Sequence, residues 1–147
     1  MKIKYLLVIL LSASLAFMSG CRTANLYNVK DQNIATNIDN PSEEDIKKAI
    51  IRAGGGLGWN MSVAEPGLVV GTLYLRSHMA KVNVTYDLKK YSITYVDSTN
   101  LDYESAGAET TDPDGTTYVN KTEIIHKNYN GWIQNLDRAI QAQFSAL

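Results

Sequence analysis

Cysteine occurs once in the 147 residues, proline three times, and histidine, tryptophan and phenylalanine twice each. One cysteine excludes an intramolecular disulfide, so a fold in an oxidising compartment must be held by packing. Two histidines and a lone thiol leave no metal-ligand spacing and no Ser/His/Asp arrangement. No metal or other cofactor is expected. Charge of one sign is also lacking, with 14 basic residues against 15 acidic ones. That balance offers no basic stripe for nucleic acid and no polybasic cluster for anionic lipid. Beyond the first twenty residues there is no long apolar run.

What is present begins at the N-terminus. Lys2 and Lys4 are followed by an apolar stretch from Tyr5 to Met18, then by Ser19, Gly20 and Cys21. Basic start, apolar middle and small residues at the end make the order of a secretory signal peptide. The run is shorter than the roughly 20 residues of a spanning helix. Met18-Ser19-Gly20-Cys21 resembles the bacterial lipobox, with Cys21 as the residue that takes the lipid. Met18 stands where leucine is commonest, and a bulky apolar side chain still fits. By the sorting rules of Gram-negative envelopes, Arg22 in place of aspartate implies the outer membrane. Cleavage before Cys21 leaves 127 residues with twelve basic and fifteen acidic groups, a net charge of −3. That length suffices for one domain with a sizeable core.

Three divisions follow: residues 1–20 as signal peptide, 21–40 as lipidated cysteine and flexible tether, and 41–147 as one domain. Residues 22–40 are polar, with isolated apolar positions and no sustained period. As a flexible chain they would reach about 25 Å. Ser42, with Asp45 three residues on, marks a helix start. Ile46, Ala49, Ile50 and Ala53 give that helix an apolar face, and Gly54-Gly55-Gly56 ends it. The glycines follow a helix rather than a strand, which argues against a phosphate cradle.

Trp59 to Ala64, Leu68 to Leu75, Ala80 to Tyr86 and Tyr91 to Asp97 read as strands. A turn at Asp87–Lys90 pairs Tyr86 with Tyr91, Val84 with Ile93 and Val82 with Tyr95. A turn at Ser77-His78 would set Leu73 opposite Val82 and Leu75 opposite Ala80. All of these side chains then share one apolar face. The first strand fits only with a bulge or a longer loop around Pro66-Gly67. Residues at about 104–122 form a polar insertion, with Asp112-Pro113-Asp114-Gly115 as a loop tip or small hairpin. The EF-hand spacing is absent there. Trp132, Ile133, Leu136, Ala139, Ile140 and Phe144 make the stripe of a final helix, capped by Asn128 or Asn130. The expected fold class is α+β: a helix, an antiparallel meander of three to four strands and a C-terminal helix. Both helices are expected to cover one face of the sheet.

For chemistry, His78 and His126 sit in a turn and before the last helix. Asp97, Asp102 and Glu104 gather at a strand end. Tyr74, Tyr86, Tyr91, Tyr95 and Tyr103 offer an aromatic platform or sheet packing. The expected partner surface is Arg76, Ser77, His78, His126 and Tyr129.

One resemblance covers most of the chain beyond residue 40. Tyr95, Asp97-Ser98, Asn100-Leu101, Tyr103, Ile125-His126, Tyr129-Asn130, Trp132, Leu136 and Ile140, together with the lipobox, resemble a family of small, uncharacterised bacterial lipoproteins. Thr111-Asp112-Pro113-Asp114-Gly115 departs from it as an insertion. The resemblance implies a lipid-anchored envelope protein and carries no activity with it. The expected function is a non-enzymatic binding or accessory module of the bacterial cell envelope, held at the outer membrane by Cys21 and facing the periplasm. Its expected partners are the membrane and an envelope protein or glycan. The alternative is an enzyme or small-ligand-binding protein using a Tyr/Asp/His cluster, with a concave pocket joining the tyrosines to Asp97 and His126.

Overall fold

The computed structural model describes residues 22–147. The expected signal peptide and lipobox, with Cys21, lie outside the described residues. Along the chain run β1 (Thr23–Asn25), β2 (Val29–Asn33), α1 (Glu43–Gly56), β3 (Asn60–Glu65), β4 (Leu68–Leu75) and β5 (His78–Tyr86). They are followed by β6 (Lys90–Thr99), β7 (Glu104–Thr111), β8 (Thr117–His126) and α2 (Lys127–Ser145).

The expected meander of three to four strands is overturned. Strand makes up 47% of the described residues and helix 26%, so the fold is mostly β. Two antiparallel sheets form: five strands in the order β2-β6-β5-β4-β3, and three in the order β1-β8-β7. Two causes account for the extra strands. Residues 23–33, expected within a flexible tether, pair instead as short edge strands. β1 lies on the end of β8 and β2 on β6. Their side chains carry little alternation because an edge strand is held mainly through its backbone. Residues 104–122 extend into a long hairpin whose residues on both strands are exposed as far as Thr122. Its Ser, Ala, Gly and Thr content hides the strand period.

Within the five-stranded sheet, Tyr86 pairs with Tyr91, Val84 with Ile93 and Val82 with Tyr95. The β4–β5 register sits two residues from expectation, with Leu73 opposite Ala80 and Leu75 opposite His78. The turn is Arg76-Ser77, with Arg76 at φ 55°. An even slip preserves side-chain faces, so Val69, Leu73, Ala80, Val82, Val84 and Ile93 still turn inward together. A bulge between Val63 and Glu65 re-aims β3, and Gly67 at φ 78° closes its turn. Trp59 and Met61 then close over Gly71. A Cβ there would stand 3.1 Å from the Met61 sulfur and 3.3 Å from the Trp59 ring.

Ser42 caps α1: its hydroxyl accepts from the Asp45 amide, and the Asp45 carboxylate accepts from the Ser42 amide at 3.0 Å. The buried faces of α1 (Ile46, Ala49, Ile50, Ala53) and α2 (Ile133, Leu136, Ile140, Phe144) join the inner face of the five-stranded sheet in one core. Tyr91 reaches through it to donate to Asp137 at 2.5 Å. Burial and that anionic acceptor push the Tyr91 phenol well above its usual range. Among the described residues, no helix is long and apolar enough to cross a membrane.

Candidate functional site

β6 leaves the five-stranded sheet at Thr99, and β7 begins at Glu104 in the other. The linking residues Asn100 and Asp102 both take left-handed backbone, at φ 56° and 49°. Asn and Asp tolerate that region better than other non-glycine residues. Between them Leu101 is buried and holds the turn to the core. This doubly left-handed corner leaves an open cleft of about 670 Å³ between the end of β6 and the base of the β7–β8 hairpin.

Two tyrosines form its aromatic wall. Tyr95 and Tyr103 stack with ring centroids 4.3 Å apart, and Tyr129 backs Tyr95 edge-on at 5.7 Å. The Tyr103 hydroxyl donates to Glu123 at 2.6 Å. Lys121 pairs with the same carboxylate oxygen at 2.9 Å, and Tyr95 shares a 2.9 Å hydrogen bond with Ser98. Asp97, Asn100 and Asp102 complete the polar lining.

Four groups of this set, Tyr95, Tyr103, Lys121 and Glu123, are shifted by their neighbours. Hydrogen bonding to Tyr103, then to Lys121, holds the Glu123 carboxyl below its usual range. The same bond raises the Tyr103 phenol. Burial raises that of Tyr95, with Asp97 adding to the effect. Glu123 raises Lys121 in turn. A general acid or base works best with a pKa near the operating pH, and these shifts all lead away from neutrality. What the arrangement offers is an aromatic wall bordered by carboxyl groups, an amide and an ammonium group.

The chain matches no family model, no curated protein and no solved structure.

The residues picked out in the sequence fall in several places. Of the five tyrosines, only Tyr95 and Tyr103 meet face to face. Tyr91 belongs to the core, and Tyr74 stands 72% exposed at the end of β4. Asp97 and Asp102 line the cleft and Glu104 does not. Of the pocket expected to join the tyrosines, Asp97 and His126, the cleft takes in only Tyr95, Tyr103 and Asp97.

On the expected partner surface, His78 and His126 do come together, with ring centroids 6.3 Å apart. Trp132 lies 6.4 Å from His78. Each histidine is engaged in structure. His78 Nδ1–H donates to the Asn100 carbonyl at 2.7 Å. His126, rather than Asn128 or Asn130, caps α2, its Nδ1 accepting from the Asn128 amide at 3.2 Å. Asn130 instead donates to the Asn25 carbonyl at 2.8 Å and accepts from the Tyr27 amide at 3.1 Å. Arg76 and Ser77 are exposed in their turn. Tyr129 is not a surface residue at all: it is fully buried, and its hydroxyl has no hydrogen-bond partner. Among the described residues, no group of three or more His, Cys, Asp or Glu could hold a metal ion.

Lys121, Glu123 and Ser98 were not singled out as site residues. For Lys121 and Glu123 the signal is their alternate spacing within β8, which sets both toward the cleft; Ser98 has none.

Proposed function

We propose that the chain is a lipid-anchored lipoprotein of the bacterial cell envelope, held at the outer membrane by Cys21 and facing the periplasm. In this reading it is a binding module that takes an envelope glycan in the Tyr95–Tyr103 cleft. The N-terminal order of basic, apolar and small residues ending at Cys21 supports the anchor, as does the resemblance to small lipoproteins. Arg22 supports the outer membrane.

The observation that carries the binding reading is the stacked tyrosine pair tied to Glu123. A sugar ring presents an apolar C–H face to an aromatic wall and hydroxyls to carboxylates and amides at its rim, and the cleft offers both. The fixed protonation states of Glu123, Tyr103 and Tyr95 favour holding a ligand over transferring protons. The alternative, an enzyme or small-ligand-binding protein with a Tyr/Asp/His cluster, is less well supported, because His126 lies outside the cleft and serves as a helix cap.

The test is a titration of isotope-labelled, acyl-free Cys21→Ala protein with soluble glycan-strand fragments of peptidoglycan, followed by amide NMR. Shifts confined to Ser98, Asn100, Asp102 and Glu123 are expected, with Tyr103→Ala weakening binding up to about tenfold. No response at these amides, or unaltered affinity in Tyr103→Ala, would contradict the glycan assignment.

A further inference from the structure

The fold takes hold of the chain one residue after the lipid attachment point. The Arg22 carbonyl accepts from the Lys127 amide at 2.8 Å, and Thr23 is already paired with His126. Successive Cα atoms are about 3.8 Å apart, so no tether separates a lipid on Cys21 from the domain. Whatever surface surrounds Arg22 must lie at the headgroups.

That surface is well defined. The His126 amide donates to the Leu101 carbonyl at 2.7 Å, which joins the start of α2 to the corner after β6. The Asn100 side chain donates to the Ser77 carbonyl at 2.7 Å, and His78 returns a bond to the Asn100 carbonyl. Arg22, Lys127, the 100–102 corner and the Arg76-Ser77 turn are thus knitted into one end of the molecule.

Its chemistry differs from the rest of a weakly acidic chain. Arg22, Arg76 and Lys127 are exposed, and none takes part in the ion pairs formed among the described residues. Asp102 is the carboxylate in the corner itself. Beside the turn, Tyr74 is 72% exposed and Leu75 45% exposed. Exposed tyrosine and leucine among cations make the composition of a segment lying in a membrane interface. Three cations would not hold a protein on lipid alone, but acyl chains at Cys21 would supply the attachment and leave the cations to set orientation.

We propose that this end seats on phospholipid headgroups, with Tyr74 and Leu75 in the interface and Arg22, Arg76 and Lys127 on lipid phosphates. The proposal rests on Cys21 being the lipidated residue. β8 then starts about 30 Å from the seat, so the Asp112–Thr116 tip stands clear of the lipid.

The test uses the acylated full-length product in vesicles of phosphatidylethanolamine and phosphatidylglycerol. Because the lipid occupies Cys21, a cysteine introduced elsewhere is the only free thiol for a nitroxide label. Ser77→Cys probes the seat, Lys89→Cys the opposite end of the sheet, and Asp114→Cys the hairpin tip. Collision with a water-soluble nickel chelate should be about fivefold lower at Ser77→Cys than at the other two. Adding Arg76→Glu and Lys127→Glu should remove that protection while the protein still floats with the vesicles. Equal accessibility at all three positions in acylated protein would overturn the seat. Protection that survives the charge reversal would overturn the phosphate contacts. An intact mass lacking the lipid would instead overturn the anchor reading, which keeps the two failures apart.

Discussion

Tyr129 is the residue whose environment is least satisfied. Its hydroxyl is buried without a partner, and burial drives its phenol far above the usual range. A buried polar group left unpaired costs about 1–3 kcal/mol. Tyr129→Phe should therefore raise stability in urea by about 1 kcal/mol, and a loss of that size would reveal a bond that the described geometry lacks. Glu123 makes the opposite case. Its folded-state pKa is depressed by Tyr103 and Lys121, so its contribution is complete above the unfolded carboxylate value and is lost as pH falls through the folded one. Urea midpoints should drop as pH falls below about 4.5, and Tyr103→Phe should flatten that drop. Identical pH profiles for wild type and Tyr103→Phe would contradict the assignment. His126 carries a lesson at the same scale. A histidine before a helix was legible as a candidate site residue, and its role as the helix cap was not. Imidazole rarely fills that role, and Asn128 and Asn130 nearby are the commoner caps.

Among the elements, α1 and the β5–β6 pairing were legible because local chemistry specified them: a Ser42/Asp45 capping box, and a four-residue turn between matched apolar alternations. The β4–β5 turn was legible only to within two residues. Its left-handed residue is Arg76, and nothing in an arginine announces positive φ. β1 and β2 were hidden because edge strands need backbone pairing more than pattern. The tyrosine cleft was legible in part: Tyr95, Tyr103, Asp97 and Asp102 stood out as types. Their convergence depends on Asn100 and Asp102 turning the chain from one sheet to the other. The β7–β8 hairpin has Tyr118 and Val119 exposed at 50% and 62%. An isolated two-stranded ribbon is marginal in water, so this arm adds little to the core. Replacing residues 107–121 by Asn-Gly, a natural two-residue hairpin loop, should shift the melting temperature by no more than about 4 °C. Loss of cooperative unfolding in that variant would show the arm to be part of the core.

For the whole molecule, the proposed anchor at Cys21 adjoins the end of the fold that carries Arg22, Arg76 and Lys127, with the tyrosine cleft beside it. Because Thr23 is already paired in β1, a lipid on Cys21 would be joined to the domain by Arg22 alone and not by the expected 19-residue tether. The domain is therefore expected to keep one orientation at the lipid surface rather than range above it. With no disulfide available, the fold depends on the shared core of two helices and the five-stranded sheet, and it should form without the lipid. Cys21→Ala therefore separates attachment from folding. The direct measurement is fractionation of cells producing wild type or Cys21→Ala, with high-salt washing of the membranes and circular dichroism of the purified variant. The expected result is wild type in the membrane fraction and a folded Cys21→Ala chain in the soluble envelope fraction. Cys21→Ala protein that still pellets with salt-washed membranes would contradict the lipid anchor.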